Sequence, residues 1–244
     1  MSFYELLWRA YHAAPAPLRA AIARSPLGSL KRAAGVRGNH DKMYNPAYFA
    51  ELDATSRPSA IFIARSIARD VHPSRVMDVG CGSGALLLAL RELGTMGDGV
   101  EYSSAGLAMC RQRGLRVQRF DLENSALPRL SPPYNLVISM EVAEHLPEIL
   151  ADRFVAFLAA LGDRVAFTAA TPGQGGIDHV NEQPHSYWIE KFAAHGFVLD
   201  TATAARWSAE WEAEGAAPWY HRNIMYFVRG VAPLECVAGG PENN

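Results

Sequence analysis

Short apolar runs alternate with segments of helical periodicity along most of the chain. Runs at 75–79, 99–102, 115–120, 134–139, 164–168, 197–199 and 224–228 have the length and composition of buried strands. Apolar side chains recur at helical spacing in 47–70, 85–90, 104–113, 149–161 and 184–195. This alternation predicts an α/β fold: a doubly wound, mostly parallel seven-stranded sheet with helices on both faces and ligands at the carboxyl ends of the strands.

The two ends of the chain depart from this pattern. We expect residues 46–232 to form the main domain, residues 1–45 an N-terminal helical extension or lid, and residues 233–244 a flexible tail. The first 39 residues contain six basic side chains against Glu5 alone, with prolines at 15, 17 and 26. Such a segment suits short helices that pack onto the domain, and it also fits a transit peptide or an interfacial anchor.

Composition and charge narrow the classes of function. Apolar residues make up 49% and charged residues 20% of the chain, which is typical of a globular protein. The net charge of −2 argues against a protein held mainly by nucleic-acid phosphates. No apolar run is long enough to span a membrane. Three cysteines without a paired motif suit a reducing compartment, so we expect a cytoplasmic protein; its oligomeric state is not predicted.

A glycine-rich turn follows the first predicted strand. Gly80, Gly82 and Gly84 allow a sharp turn and a close approach of ligand to backbone, at the positive end of the next helix. The same stretch also fits a dinucleotide fingerprint, and Glu101 lies where both types of nucleotide site place a ribose-binding carboxylate. Asp78 distinguishes the two types of nucleotide site, because its carboxylate would repel a pyrophosphate and favour a ligand with a positive amino group and a sulfonium.

The stretch from Asp78 to Gly84 resembles the first motif of the class I S-adenosylmethionine-dependent methyltransferases of small-molecule type, and the resemblance covers about residues 45–230. It implies a Rossmann-like fold and S-adenosylmethionine as cofactor. The glycines would face the methionine part, Glu101 would hold the ribose, and Asp121 would bind the adenine amino group. The full set of cofactor-binding residues implied is Asp78, Gly80, Cys81, Gly82, Gly84, Glu101, Tyr102, Asp121, Leu122 and Glu141. Taken singly, Asp78 could be a helix cap, Asp121 a turn residue and Tyr102 part of the core.

A second motif, Glu141-x-x-Glu144-His145, follows the fourth predicted strand. Similar segments bind magnesium in the methyltransferases that act on ubiquinone precursors and on RNA 3′ ends. The resemblance therefore implies a site for Mg²⁺ or another divalent cation formed by Glu141, Glu144, His145 and His179. The alternative is that Glu144 and His145 cap the next helix and line the pocket.

The densest polar cluster of the chain lies at 175–188, and it contains His179. We expect His179, and after it His145, to act as catalytic general base for an oxygen acceptor, since an amine with a free lone pair needs no base. The acceptor would be a small molecule such as a sugar or a secondary metabolite. An N-methyltransferase, an RNA or protein methyltransferase, a nicotinamide-dependent dehydrogenase and a non-catalytic cofactor-binding protein are the other functions considered.

Four aromatic residues lie between the last two predicted strands: Trp207, Trp211, Trp219 and Tyr220. They would either wall the substrate pocket or form the private core of an insertion.

Overall fold

The computed structural model describes residues 44–122, 130, 133–176 and 178–230. The predicted flexible tail and all but the last two residues of the predicted N-terminal extension lie outside the described residues.

Seven strands and seven α-helices alternate along the described chain. The strands are β1 (Arg75–Val79), β2 (Met96–Glu101), β3 (Arg116–Arg119), β4 (Leu136–Met140), β5 (Arg164–Thr168), β6 (Phe197–Leu199) and β7 (Met225–Arg229). The helices are α1 (Pro46–Val71), α2 (Ala85–Glu92), α3 (Ser104–Gln112), α4 (Ala151–Leu161), α5 (His185–Ala193), α6 (Thr201–Ala213) and α7 (Pro218–Asn223). Short 3-10 turns lie at Ala143–His145 and Glu148–Leu150.

The strands form one sheet in the order β3-β2-β1-β4-β5-β7-β6. The pairs from β3 to β5 are parallel, and β7 runs antiparallel between β5 and β6. The strand order reverses between β1 and β4, and a crevice at the carboxyl ends of the strands is expected at such a reversal. The predicted doubly wound, mostly parallel seven-stranded sheet is confirmed.

Helices cover both faces of the sheet, so alternate strand residues enter two separate cores. On one face Met77 and Val137 pack with Phe154, Trp188 and side chains around them from α4 and α5. On the other face Val76 and Leu136 pack with Ile63 of α1 and neighbours from α2 and α6. Because both faces are buried, the central strands read as continuous apolar runs, which made them recognisable in the sequence.

The helix boundaries follow local capping chemistry. Asn45 accepts a hydrogen bond from the Tyr48 amide at the start of α1, where Pro46 is the first helical residue. Ser103 caps α3 by accepting from the amides of Ala105 and Gly106. The predicted helix at 149–161 begins later, because residues 148–150 form a 3-10 turn. Within the described ranges, no helix has the length and hydropathy needed to cross a bilayer.

The segment between β6 and β7 is helical, which the sequence analysis did not predict. Trp207 and Trp211 lie one turn apart on α6, stack with ring centroids 5.7 Å apart and are fully buried. They belong to the core between α1 and the sheet. Trp219 and Tyr220 of α7 instead line the cavity described below. Two of the four aromatics therefore line the cavity, and the other two belong to the main core, not to a private core of an insertion.

Candidate active site

A cavity of about 320 Å³ lies at the carboxyl ends of β1 and β4. Its walls are α1, the loop after β1, the loop after β4, residues around 174–179, and α7. The volume falls within the usual range for small-molecule sites. The position is the one that the reversal of strand order predicts.

The glycine loop forms one wall of this cavity. Gly80, Cys81 and Gly82 line it, and Gly82 has φ of +55°, a conformation that favours glycine. Gly84 is different: it is not among the lining residues, and a side chain there would clash with Leu115 and lie 2.9 Å from the Cys110 sulfur. Its absent side chain therefore serves packing, although the resemblance implied cofactor contact.

Cys81 lies beside Cys110, and both are buried free cysteines. The hydrogen bond between their thiols, followed by burial, raises the pKa of Cys81. A thiol in this environment stays protonated and is a poor nucleophile.

Asp78 and Glu101 place two carboxylates beneath the glycine loop. Asp78 is 4% exposed and lines the cavity, and burial, with a smaller contribution from the Glu101 charge, raises its pKa to about 7. The Glu101 carboxylate accepts hydrogen bonds from the amides of Gly82 at 2.9 Å and Ser103 at 2.7 Å. Burial raises the pKa of Glu101, and these hydrogen bonds oppose the increase. Asp78 does not cap a helix, since the N-cap of α2 is Gly84.

The residues predicted for the adenine end lie beyond the cavity lining. Tyr102 packs beside the Arg119 guanidinium, whose carbon lies 5.4 Å from the ring centroid. Leu122 is buried in the core that α4 and α5 cover, and Asp121 is half-buried. Neither these three residues nor Glu101 contribute to the lining of the described cavity. Their roles toward a cofactor remain predictions.

Glu141 follows β4 in a strained conformation. Its φ is +53°, which is uncommon for a residue with a side chain and is typical of functional sites. Its carboxylate accepts hydrogen bonds from Gln174 Nε2 at 2.7 Å and Asn223 Nδ2 at 3.1 Å, and its amide donates to Thr168 Oγ1. Asn223 also donates to Gln174 Oε1 at 2.8 Å. Two amide side chains that the sequence analysis did not identify therefore hold Glu141 at the cavity.

Three of the four predicted metal ligands come together. Within the described residues, one ligand atom each from Glu144, His145 and His179 lie within 4.8 Å of one another, and Glu141 is outside this group. Glu144 is fully buried, and neither of its carboxylate oxygens makes a well-aligned hydrogen bond to the described protein. Burial, followed by the nearby Glu141 charge, raises the pKa of Glu144. An orphaned buried carboxylate beside two imidazoles is a donor set that fits a divalent cation.

Further hydrogen bonds orient the two histidines. His179 Nδ1 lies 2.9 Å from a carboxylate oxygen of Glu182, which also accepts from the amides of Gly173 and Gly175. Burial acts to raise the pKa of Glu182, but the hydrogen bonds from His179 and the two glycines lower it overall. The Tyr44 hydroxyl lies 3.3 Å from His145 Nδ1. With a proton on Nδ1, His179 keeps Nε2 as its basic nitrogen.

A seven-stranded sheet in this order, with a glycine loop after β1 and an acidic residue at the end of β2, is the fold of the class I S-adenosylmethionine-dependent methyltransferases. The fold that the resemblance implied is confirmed.

The comparisons with known proteins agree with this class. The family model described as methionine biosynthesis protein MetW matches residues 61–144. The ubiquinone biosynthesis O-methyltransferase of Bordetella avium (strain 197N) is 30% identical over 90 residues, which are 34% of this chain and 37% of that protein. The match thus covers well under half of the relative's length.

Two solved structures are similar at low sequence identity. Magnesium protoporphyrin IX methyltransferase from Synechocystis PCC 6803, with bound SAH, superposes with a TM-score of 0.55 at 15% identity, over 88% of this chain and 100% of that one. The mitomycin 7-O-methyltransferase MmcR superposes with a TM-score of 0.59 at 15% identity, over 90% of this chain and 70% of that one. At this identity the similarity establishes the fold.

Proposed function

We propose that the protein transfers a methyl group from S-adenosylmethionine to an oxygen of a small-molecule acceptor. One observation carries the proposal: a single cavity is lined both by Asp78 with the glycine loop and by the Glu144, His145 and His179 cluster. The first set suits a cationic nucleotide cofactor, and the second suits a hydroxyl that must lose a proton. The Bordetella protein that matches part of this chain is named an O-methyltransferase, which supports an oxygen acceptor.

The residues around the glycine loop fit the cofactor. Asp78 offers a buried carboxylate to a cationic group, and Gly80, Cys81 and Gly82 offer backbone without bulky side chains. Glu101 would hold the ribose, while Tyr102, Asp121 and Leu122 would hold the adenine. When bound, the cofactor supplies an electrophilic methyl group. Asp78 at the cavity also argues against a pyrophosphate ligand, and therefore against a nicotinamide dinucleotide.

The metal cluster would hold a divalent cation through Glu144, His145 and His179. A bound cation lowers the pKa of an acceptor hydroxyl and fixes its position. Two imidazoles beside one carboxylate fit Mn²⁺, Fe²⁺ or Zn²⁺ as well as Mg²⁺. Glu141, held by Gln174 and Asn223, would lie beside this cluster and bind cofactor or acceptor.

The remaining nitrogen of His179, Nε2, can either bind a cation or accept a proton, so His179 is the proposed general base for the protein without a bound cation. Its Nδ1 proton is bound to Glu182, which orients the ring and stabilises the imidazolium that forms when Nε2 takes the acceptor proton. His145, which contacts the Tyr44 hydroxyl, is the second candidate. The contact of His179 with the Glu182 carboxylate makes it the first candidate.

Ligand binding tests the cofactor assignment. We expect S-adenosylhomocysteine, at one hundred times its Kd, to stabilise the protein by about 2.7 kcal/mol in thermal or urea unfolding. NADH should produce no comparable change. Tight binding of NADH without binding of S-adenosylhomocysteine would overturn the proposed function.

Metal removal tests the second half of the proposal. Calorimetric titration with Mn²⁺ or Mg²⁺ should detect one site in the wild type, and Glu144→Gln should abolish it, because the only carboxylate of the cluster is lost. Glu148→Gln, an exposed change in the same segment, is the matched control and should bind the metal normally. Chelation should also abolish methyl transfer, with recovery on adding the metal. Full methyl transfer in excess chelator would reject the metal and leave His179 as the base.

A further inference from the structure

Helix α1 consists of two parts that are attached to the molecule in different ways. Pro58 lies inside the helix, and because proline has no amide hydrogen it interrupts the hydrogen-bond ladder near the middle. We call residues 46–57 the front half and residues 58–71 the rear half. The buried residues of the front half are Phe49 and Ser56, while those of the rear half are Ser59, Ala60, Ile63, Ala64, Ser66, Ile67 and Val71. Apolar burial therefore anchors the rear half far more strongly.

Polar contacts fix the rear half to α6 and to the chain before α7. Asp70 accepts a hydrogen bond from Trp207 Nε1 at 2.7 Å, and Ser66 Oγ accepts one from Trp211 Nε1 at 3.0 Å. Ser59 Oγ accepts from the amide of Ala217 at 2.9 Å. None of the α6 or Ala217 partners lines the cavity. Ala60 and Ile63 of the rear half also line the cavity, so this half is a firmly anchored part of the cavity wall.

The front half is tied to the glycine loop through one side chain. Asp53 Oδ1 accepts a hydrogen bond from Ser83 Oγ at 2.8 Å. Arg113, the C-cap residue directly after α3, donates to both oxygens of Asp53, at 2.8 and 2.7 Å, and its guanidinium also donates to the Ser83 carbonyl at 2.8 Å. The side chains of Asp53 and Arg113 are only 14% and 16% exposed. We call these three residues the clasp.

We propose that Asp53 is a positioning residue whose clasp holds the glycine loop in shape and keeps the front half of α1 closed over the cavity. The proposal rests on the proposed function, because it assigns the loop to cofactor binding. Ser83 lies between Gly82 and Gly84, residues with no side chain of their own to restrain the turn. A bidentate, charge-assisted pair with little exposure supplies that restraint.

The front half also forms the cavity wall that faces the glycine loop. Tyr48 and Leu52 line the cavity, and Phe49 Cε1 lies 3.7 Å from the position that a Cβ at Gly82 would occupy. A ligand against the glycine loop is therefore covered by this half of the helix. Since few apolar groups hold it, breaking the clasp should speed ligand release and weaken binding more than it weakens the fold.

Asp53→Asn tests this role, with Asp70→Asn as matched control. Both changes neutralise an α1 aspartate that pairs with arginine, but Asp70 lies on the rear half, away from the cavity. We expect Asp53→Asn to raise the Kd for S-adenosylhomocysteine about tenfold, equal to about 1.4 kcal/mol, and to raise its dissociation rate similarly. The KM for the methyl donor should rise while kcat changes little. Asp70→Asn should lower thermal stability without changing the Kd.

Two further measurements keep the test independent of folding and of turnover. Ser83→Ala removes one hydrogen bond and keeps the Asp53–Arg113 pair, so its Kd should rise about threefold. Hydrogen exchange of the amides at 80–84 and 46–57, measured without ligand, should accelerate in Asp53→Asn and not in Asp70→Asn.

The outcomes separate the two proposals. If the wild type binds S-adenosylhomocysteine and Asp53→Asn, correctly folded by circular dichroism, binds it equally well with unchanged loop exchange, the clasp has no positioning role and only this inference fails. Equal effects of Asp53→Asn and Asp70→Asn on the Kd would also overturn it. If the wild type does not bind the ligand, the proposed function fails, and unchanged loop exchange in Asp53→Asn would then reject the clasp separately.

Discussion

Glu101 illustrates how one side chain can connect the parts of a binding loop. Its two carboxylate oxygens accept from the amides of Gly82 and Ser103, on the loops after β1 and β2. The Tyr102 amide is a third donor to this carboxylate, which offers about four lone pairs. Under the proposed function, the same carboxylate would organise the loops and accept a hydrogen bond from the ribose.

Glu101→Gln should weaken binding of S-adenosylhomocysteine by about 1.5–3 kcal/mol, the scale of lost charge-assisted hydrogen bonds. The amide cannot accept at both ends, so it loses a ribose contact and loosens one loop amide. Isothermal calorimetry measures the change, and Glu92→Gln, at the exposed end of α2, serves as control. Unchanged affinity in a folded Glu101→Gln protein would contradict the ribose assignment.

The sequence identified the residues that are close to a motif, and it missed those that only tertiary contacts bring together. Asp78, Gly80, Gly82, Glu144 and His179 were predicted for one site, and all line the described cavity. Asn223 lies 82 residues from Glu141, and Arg113 lies 60 residues from Asp53. No local pattern marks such pairs, because each depends on how helices pack on the sheet.

Helices and strands were easiest to predict where the buried side chains match the spacing of apolar residues along the sequence. Strands β1, β5 and β6 begin and end where their apolar runs do. Helix α6 was missed because its apolar face is formed mainly by Trp207 and Trp211, among alanine, threonine and charged residues. Two aromatic residues four positions apart also fit an irregular insertion. Its burial against α1 resolves the ambiguity only in three dimensions.

The entry to α2 gives a prediction at this scale. Gly84→Ala should lower the free energy of unfolding by about 2–4 kcal/mol, because it combines a left-handed backbone with a clash against Leu115 and Cys110. Gly94→Ala is the matched control: its φ is also positive, +86°, but nothing lies within 4 Å of the new methyl group. It should cost only about 1 kcal/mol. Urea unfolding of both variants measures the difference, and equal losses would show that packing at Gly84 is unimportant.

At the scale of the whole molecule, the sheet gathers buried carboxylates at one end. Four carboxylates lie near the carboxyl ends of the central strands β1, β2 and β4: Asp78, Glu101, Glu141 and Glu144. Burial is the largest cause that raises the pKa of each. The fold thus concentrates electrostatic cost at the place where it would bind a cation. A bound cationic ligand would offset part of that cost.

This arrangement predicts how the stability of the ligand-free protein depends on pH. Asp78 has a pKa of about 7 in the folded protein, against an ordinary value of 3.8, so between these values the folded state keeps a proton that the unfolded state has released. The Asp78 contribution to the free energy of unfolding is therefore complete at low pH and falls by up to about 1.4 kcal/mol per pH unit as pH rises through this window.

Asp78→Asn removes the titrating group. In urea unfolding at pH 5, 6, 7 and 8, the variant should gain stability relative to the wild type up to about pH 7 and then level off. Parallel curves for the two proteins would show that Asp78 has an ordinary pKa and that the cavity is open to water.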